Sequence, residues 1–195
     1  MKNMGALITY FKPFNHEKFN YSGLILEDLK LNSKVLELDV LYEKDADRVI
    51  EEINKNSFDF ILLLGEARSR NKMCLEKRAS NINDSKIADN NQIIRTNEII
   101  SMDNKCLETN IDVQNLLKHL DTNYVEISMD AGTFICNDLY YRVLQKTIPL
   151  NIPTLFVHIP SFDDDLKRHL QKELLKIIKY MEESLIQVRD FCYNK

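Results

Sequence analysis

Cys136, His158 and Glu76 are the residues of this sequence whose types and settings could support nucleophilic catalysis. Cys136 follows an apolar run of strand length and a short turn that contains Gly132, and it stands at the start of a helical pattern. A thiol at a helix N-terminus lies at the positive end of the helix dipole, which favours the thiolate, and the free backbone N–H groups there can hold an oxyanion. We therefore expect Cys136 to be a nucleophile.

A histidine and a glutamate supply the other two parts of a thiol triad. His158 lies near the end of the apolar run 154–159, and ligand sites gather where the strands of a parallel sheet end. Its imidazole can accept the proton of a nucleophile on a neighbouring loop. Glu76 follows the apolar run that ends at Gly65, and its carboxylate can orient the imidazole as the acid of the triad.

Each of the three residues also has a structural interpretation, and spacing alone leaves it open. A cysteine near a strand end is more often a small buried apolar group than a nucleophile. A histidine among apolar neighbours is more often a hydrogen-bonded structural residue. Glu76 can belong to a solvated charge cluster with Lys77 and Arg78. The residue types therefore define a candidate site without deciding its role.

The elements that must position these residues alternate between strands and helices. Apolar runs of strand length followed by helical periodicities are typical of a mainly parallel sheet that is covered on both faces. The predicted strands span residues 6–11, 34–40, 58–65, 124–129 and 154–159. The predicted helices span 45–56, 112–120, 136–147 and 164–192, and the last of them caps the sheet or a partner subunit. The predicted fold class is α/β.

Residues 68–111 interrupt this alternation. The segment is rich in Asn, Asp, Lys and Arg and has few strong periodic runs, so we predict loops and short hairpins there. The whole chain has 4 glycines and 4 prolines, shows no repeat and contains no low-complexity linker. A single domain over residues 1–195 is the simplest interpretation.

Composition and charge argue against several classes of function. The chain has 195 residues, a formal net charge of -4 and no apolar stretch of membrane-spanning length, so we expect neither nucleic acid nor a membrane as a partner. Its four cysteines lie far apart without a C-x-x-C pair, which predicts free thiols in a cytoplasmic, reducing compartment and no metal site. With so few glycines a phosphate-binding loop is hard to build, and we expect no cofactor.

Ordered motifs around these residues resemble those of type I pyroglutamyl peptidases, also called pyrrolidone-carboxylate peptidases, over most of the chain. The cysteine motif of that family matches at Ser128, Ala131, Gly132, Phe134, Ile135, Cys136 and Asn137. The glutamate motif matches at Gly65, Glu76, Lys77, Ala79 and Asn81. The histidine segment matches at His158, Ile159 and Pro160, and the opening aromatic turn matches at Phe11, Pro13 and Phe14.

The resemblance implies a three-layer α/β/α sandwich around a mostly parallel, twisted sheet. It implies a cysteine exopeptidase that removes an N-terminal pyroglutamyl residue from a small peptide with a blocked N-terminus. The reaction would pass through a thioester on Cys136, with His158 and Glu76 completing the triad. The implied substrate-binding residues are Phe11, Phe14, Glu66, Lys86, Phe134 and Ile135. A homo-oligomer, either a dimer or a tetramer, is also implied.

Several positions around the implied pocket depart from the family pattern. Tyr10 stands where the family has a glycine, and Asn15 and His16 replace a glycine pair, so this loop is less free to use φ > 0. Glu66 replaces a glutamine, and an ionised carboxylate accepts hydrogen bonds without donating any. Lys86 replaces an arginine near the implied oxyanion. Two alternatives follow: a related thiol hydrolase for another acyl group, or a non-catalytic protein that binds a small molecule, with its pocket closed by Tyr10 or filled by Glu66.

Overall fold

The computed structural model describes residues 5–103 and 105–193, with side chains up to residue 183. Ten strands and five helices follow one another within these residues. The strands are β1 (Ala6–Phe11), β2 (Lys34–Leu38), β3 (Phe60–Glu66), β4 (Met73–Glu76), β5 (Arg78–Ala79), β6 (Ile82–Asn83), β7 (Glu98–Ile99), β8 (Leu107–Glu108), β9 (Val125–Ser128) and β10 (Thr154–Ile159). The helices are α1 (Tyr21–Leu24), α2 (Lys44–Lys55), α3 (Val113–Leu117), α4 (Ile135–Thr147) and α5 (Asp164–Tyr193).

Six of the strands form the central sheet, in the order β2, β1, β3, β10, β4, β9. The first four run parallel to one another, whereas β4 pairs antiparallel with β10, and β9 pairs parallel with β4. The sheet is therefore mostly parallel, with two reversed strands at one edge. The remaining short strands form two antiparallel ladders, β5 with β8 and β6 with β7.

Both faces of the sheet are covered by helices because the inner strands are apolar on both sides. Leu63 and Phe156 project into a buried cluster with the apolar side chains of α2 and α4. Leu62, Leu64 and Leu155 project to the other face, where α3 and α5 complete a second buried cluster. The predicted α/β class and its three-layer arrangement are thereby confirmed.

The predicted strands and helices are present, with boundaries that differ by a few residues at most. The long last helix is confirmed as a cap on the sheet, because Leu170, Leu174 and Ile177 of α5 are buried against the strands. None of the helices in the described part of the chain is long and apolar enough to cross a membrane. The short helix α1 has no counterpart among the predicted elements, since a single turn is too short to show a helical period.

The prediction of loops and hairpins for residues 68–111 is wrong at β4, which is a strand of the central sheet. All four of its side chains are buried. The sequence signal is weak there, because the apolar run Met73, Cys74 and Leu75 is too short to distinguish a strand from a buried loop. A reversed strand also needs no crossover helix before it, so the alternating pattern is absent. Since β4 carries Glu76, this strand positions a candidate site residue.

Candidate active site

Cys136 occupies the first turn of α4. Phe134 is the N-cap residue and its side chain makes no capping hydrogen bond, so the first N–H groups of the helix are not satisfied by a side-chain cap. Asn137 anchors this turn, because its Oδ1 accepts the Ser80 N–H at 2.8 Å and its Nδ2 donates to the carbonyls of Ser80 and Ile82 at 2.9 and 3.0 Å. The helix N-terminus predicted for Cys136 is therefore present and held in place.

The thiol of Cys136 lies against β3, next to the strand that carries His158. A Cβ added to Gly65 would lie 2.8 Å from the Cys136 Sγ and 2.6 Å from the Cζ of Phe156. Gly65 is also the register partner of His158 on β10, and paired residues of adjacent strands project to the same face of a sheet. The thiol and the imidazole therefore share one face of the sheet, over a position that has no side chain.

Glu76, at the end of β4, makes a hydrogen bond with the imidazole of His158 on β10. The Nδ1 of His158 lies 2.7 Å from the Oε1 of Glu76, and the two residues are 5% and 0% exposed. An ionised carboxylate only accepts hydrogen bonds, so in the neutral imidazole Nδ1 carries the hydrogen and Nε2 has the free lone pair. A histidine in that tautomer can accept the proton of a nucleophile.

Arg70, in the loop between β3 and β4, is a further residue of the site that the sequence motifs do not indicate. Its Nη1 lies 3.0 Å from the same Glu76 oxygen, and its Nη2 donates to the carbonyl of Asp130 at 2.6 Å. A buried carboxylate needs a compensating charge. A search for this charge in the sequence could begin with the basic residues shortly before Glu76, which are Arg68, Arg70 and Lys72.

The surroundings of Cys136 favour the protonated form of its thiol. Burial, followed by the negative charges of Glu76 and Glu66, raises the pKa of the Cys136 thiol to about 12. Desolvation and the two carboxylates oppose the expected effect of the helix N-terminus, which is to favour the thiolate. The nucleophile has to be generated by moving the thiol proton to a neighbouring base.

A cavity of about 170 Å³ opens beside this thiol. Its lining residues are Phe11, Phe14, Asn20, Val40, Glu66, Phe134, Ile135 and Cys136. The ring centroids of Phe14 and Phe134 lie 5.3 Å apart, and Tyr42 packs edge-on against Phe134. The structure thus brings five of the six predicted substrate-binding residues to the thiol, together with Asn20 and Val40, which the sequence prediction does not include.

Lys86 is the predicted substrate-binding residue that the structure does not bring to the cavity. Its side chain is exposed and is not part of the lining. The backbone turns sharply at this point, because the Oγ of Ser85 accepts the N–H of Ile87 at 3.0 Å, and the residue between them faces solvent. The prediction that Lys86 lines the substrate-binding cavity is therefore corrected.

The two residues suspected of blocking the cavity leave it open. Glu66 lines it as a carboxylate whose oxygens already accept hydrogen bonds, Oε2 from the Tyr21 N–H at 2.7 Å and Oε1 from the Nε of Arg68 at 2.5 Å. The ring of Tyr10 packs elsewhere, over Gly23, where an added Cβ would lie 2.9 Å from its Cδ2. Closure by Tyr10 and filling by Glu66 are therefore both wrong.

The loop after Phe14 adopts a left-handed backbone in spite of its sequence. Asn15 and His16 have φ angles of 54° and 64°. The loop therefore uses φ > 0 without the glycine pair, and the steric cost expected from the loss of those glycines remains. A residue with a β-carbon is destabilised in this region by ~1 kcal/mol, and Asn tolerates it better than His.

Replacing His16 by glycine is expected to stabilise the protein by ~0.5 to 1 kcal/mol. The substitution removes the steric cost of φ > 0, and we expect this gain to exceed the loss that comes from the greater freedom of glycine in the unfolded chain. The midpoint of urea unfolding measures the change. His16→Ala is the matched control, since it also removes the exposed imidazole but keeps the β-carbon. A glycine variant no more stable than the alanine variant would contradict this account.

Comparisons with known proteins all point to one family. The family model described as pyroglutamyl peptidase matches residues 4–174. A pyrrolidone-carboxylate peptidase of Fusobacterium nucleatum is 32% identical over 174 residues, which cover 82% of this chain and 79% of that protein. One from Staphylococcus saprophyticus is 29% identical over 187 residues, covering 89% and 86%. The crystal structure of the pyrrolidone carboxyl peptidase from Fervidobacterium islandicum matches with a TM-score of 0.80 and 27% identity, covering 92% of this chain and 99% of that one.

Proposed function

This chain belongs to the pyroglutamyl peptidase family of cysteine peptidases, and on that premise we propose that it removes N-terminal pyroglutamyl residues from small peptides with a blocked N-terminus. The observation that carries the proposal is that Cys136 lines the same cavity as Phe11, Phe14 and Phe134. A pyroglutamyl ring is flat, uncharged and without a free amine. Aromatic walls therefore suit it better than a counter-ion does.

In the proposed acylation step, the sulfur of Cys136 attacks the pyroglutamyl carbonyl carbon while the Nε2 of His158 accepts the thiol proton. The carbonyl oxygen becomes an oxyanion, which the N–H groups at the start of α4 can stabilise. The C–N bond then breaks, the departing amine takes the proton from His158, and a thioester remains on Cys136. Glu76 stabilises the imidazolium between the two proton transfers.

In the proposed deacylation step, water takes the place of the amine. His158 accepts a proton from the water as its oxygen attacks the thioester carbonyl, and it returns that proton to the sulfur as the C–S bond breaks. The products are pyroglutamic acid and the free thiol of Cys136. The proposal therefore requires no cofactor.

The polar side chains of the cavity favour one related function as a second candidate. Glu66 can only accept hydrogen bonds while it is ionised, and the Nδ2 of Asn20 already donates to the carbonyl of Lys12 at 3.2 Å. These side chains therefore suit the N–H of a bound lactam ring better than its carbonyl. The carbonyl would have to take its hydrogen bonds from backbone N–H groups. A thiol hydrolase with a different acyl preference is the alternative that this observation supports.

A comparison of three fluorogenic amides tests the proposed substrate. The purified protein is given the aminomethylcoumarin amides of pyroglutamate, proline and alanine, which differ in the ring and in the charge on nitrogen. We expect kcat/KM for the pyroglutamyl amide to exceed that for the prolyl amide by about tenfold or more, because the neutral lactam fits uncharged aromatic walls.

Each other outcome of this comparison has a definite meaning. Preferential hydrolysis of the prolyl or alanyl amide would replace the proposed substrate by another acyl group and would support the second candidate. Hydrolysis of none of the three would overturn the proposed peptidase activity and would favour a non-catalytic binding protein. The comparison thus separates the proposed activity from both alternatives.

We also propose that residues 1–195 form one domain and that the chain is a cytoplasmic homo-oligomer, either a dimer or a tetramer. In support of one domain, both apolar clusters are built on the same central sheet. Cys74, Cys106 and Cys136 are free thiols, as is usual in a reducing compartment. Ile94 and Met102 are 55% and 95% exposed, and contact with another subunit would cover such apolar side chains.

A further inference from the structure

Arg70 connects the two segments that carry the acid and the nucleophile of the site. One end of its guanidinium lies 3.0 Å from Glu76 on β4, and the other donates to the carbonyl of Asp130 at 2.6 Å. Asp130 begins the turn that leads to Cys136, and its Oδ1 accepts the N–H of Gly132 at 2.9 Å. A single side chain therefore bridges the strand of the acid and the turn that presents the thiol.

The ion pair with Arg70 compensates a charge that is otherwise poorly satisfied. Glu76 is fully buried, whereas the side chain of Arg70 is 25% exposed. The Oε1 of Glu76 forms the ion pair with Arg70 and the hydrogen bond with His158, and its Oε2 has no hydrogen-bond partner among the described residues. A buried carboxylate with so few donors is stable as an anion only beside a cation. The guanidinium provides that cation at every accessible pH.

Loss of this cation would make it easier for the pair of Glu76 and His158 to bind one more proton. A protonated Glu76 would donate to Nδ1, and Nε2 would then carry the ring hydrogen. If the ring takes the proton instead, the imidazolium has no lone pair to offer. In both cases the inactive form holds one proton more than the active form, so the coupled pair responds to pH in the same way.

The other titratable groups around His158 do not replace Arg70. They are Cys74 and Glu76 on β4, Glu66 at the end of β3, and Cys136 and Tyr140 on α4. All of them are neutral or negative near neutral pH. Arg70 also lowers the pKa of the Cys136 thiol, in opposition to the two carboxylates that raise it.

We propose that Arg70 is a positioning residue of this active site, which keeps Glu76 ionised toward His158 and fixes the turn before Cys136. The catalytic part of this role rests on the proposed function, whereas the contacts of Arg70 are independent of it. Arg70 acts through Glu76 and through the backbone of Asp130. Its removal should therefore change the protonation of the site as well as its geometry.

The pH dependence of kcat/KM for the pyroglutamyl amide tests this role. In Arg70→Gln, we expect the acidic limb of the profile to move to higher pH by about one unit, the shift typical of losing an adjacent opposite charge. Activity below neutral pH should fall about tenfold and recover as the pH rises. Arg70→Lys keeps the charge and should restore the position of the limb, with lower activity because a compact ammonium lacks the planar fork with which the guanidinium reaches both Glu76 and the Asp130 carbonyl. Arg168→Gln, which removes an exposed arginine of α5, is the matched control.

A second measurement does not depend on turnover. The chain has four histidines, so histidine-selective isotope labelling gives few NMR signals, and His158→Gln identifies the one of interest. We expect the titration midpoint of the His158 ring to move to higher pH in Arg70→Gln and to move less in Arg70→Lys.

The outcomes separate this inference from the proposed function. A uniform loss of activity with an unchanged limb and an unchanged His158 titration would overturn it and leave Arg70 with a structural role only. An equal shift in Arg70→Lys and Arg70→Gln would also overturn it, because the charge would then not be the cause. A shifted His158 titration in a protein that hydrolyses none of the amides would support the role of Arg70 while overturning the proposed activity.

Discussion

Replacing Cys136 by serine is expected to abolish hydrolysis of the pyroglutamyl amide, lowering kcat/KM by about 10³-fold or more. Cys136 lines the cavity, and its sulfur lies so near Gly65 that a Cβ added there would be 2.8 Å from it. Serine has a shorter bond to its heteroatom and a hydroxyl that is harder to deprotonate than a thiol. His158 would therefore meet a weaker nucleophile, farther from the substrate carbonyl.

Cys106→Ser is the control for this substitution, because Cys106 is an exposed free thiol outside the cavity lining. It should keep wild-type turnover. Circular dichroism and urea unfolding should show that both variants fold, since the exchange of sulfur for oxygen leaves the packing of α4 largely unchanged. Retention of full turnover by Cys136→Ser would show that another group is the nucleophile.

The local settings of two triad candidates follow from the sequence. Cys136 lies at a helix start and His158 lies on β10, the last strand along the chain, as the sequence pattern indicates. The protonation of the thiol is a different matter, because it depends on Glu76 and Glu66, which are distant in the sequence and come close only in the fold. A local rule about helix ends cannot include those charges.

The strands were predictable where the chain makes long apolar runs. β3 and β10 are buried along most or all of their length, and both were evident from composition alone. β4 was not evident, because its four residues follow a polar loop and its stability comes from pairing with β10 on one side and β9 on the other. Tertiary pairing decides such a short strand, and no sequence window contains both of its neighbours.

The cavity shows the same contrast between local and distant determinants. Phe11, Phe14 and Phe134 are apolar side chains beside motif residues, and the structure gathers them at the thiol. Lys86 has a suitable charge but sits in a turn whose direction is set by the hydroxyl of Ser85. The family resemblance therefore indicated the aromatic residues that line the cavity, whereas Lys86, which it also indicated, lies outside the lining.

Replacing Gly65 by alanine is expected to destabilise the protein by ~1 to 3 kcal/mol and to lower kcat/KM by about 10²-fold or more. The added Cβ would lie 2.6 Å from the Phe156 ring and 2.8 Å from the Cys136 Sγ. Phe156 is fully buried in the sheet and cannot turn away, so the thiol must shift. Urea unfolding and hydrolysis of the pyroglutamyl amide measure the two effects.

Gly23→Ala is the matched control, because it also forces a methyl group against an aromatic ring. Its Cβ would lie 2.9 Å from the Cδ2 of Tyr10, which is only partly buried and lies outside the cavity lining. That ring can move aside, so we expect some loss of stability with turnover close to that of the wild type. Equal losses of turnover in Gly23→Ala and Gly65→Ala would mean that general destabilisation is the cause. Turnover within twofold of wild type in Gly65→Ala would mean that the thiol does not act from the position beside β3.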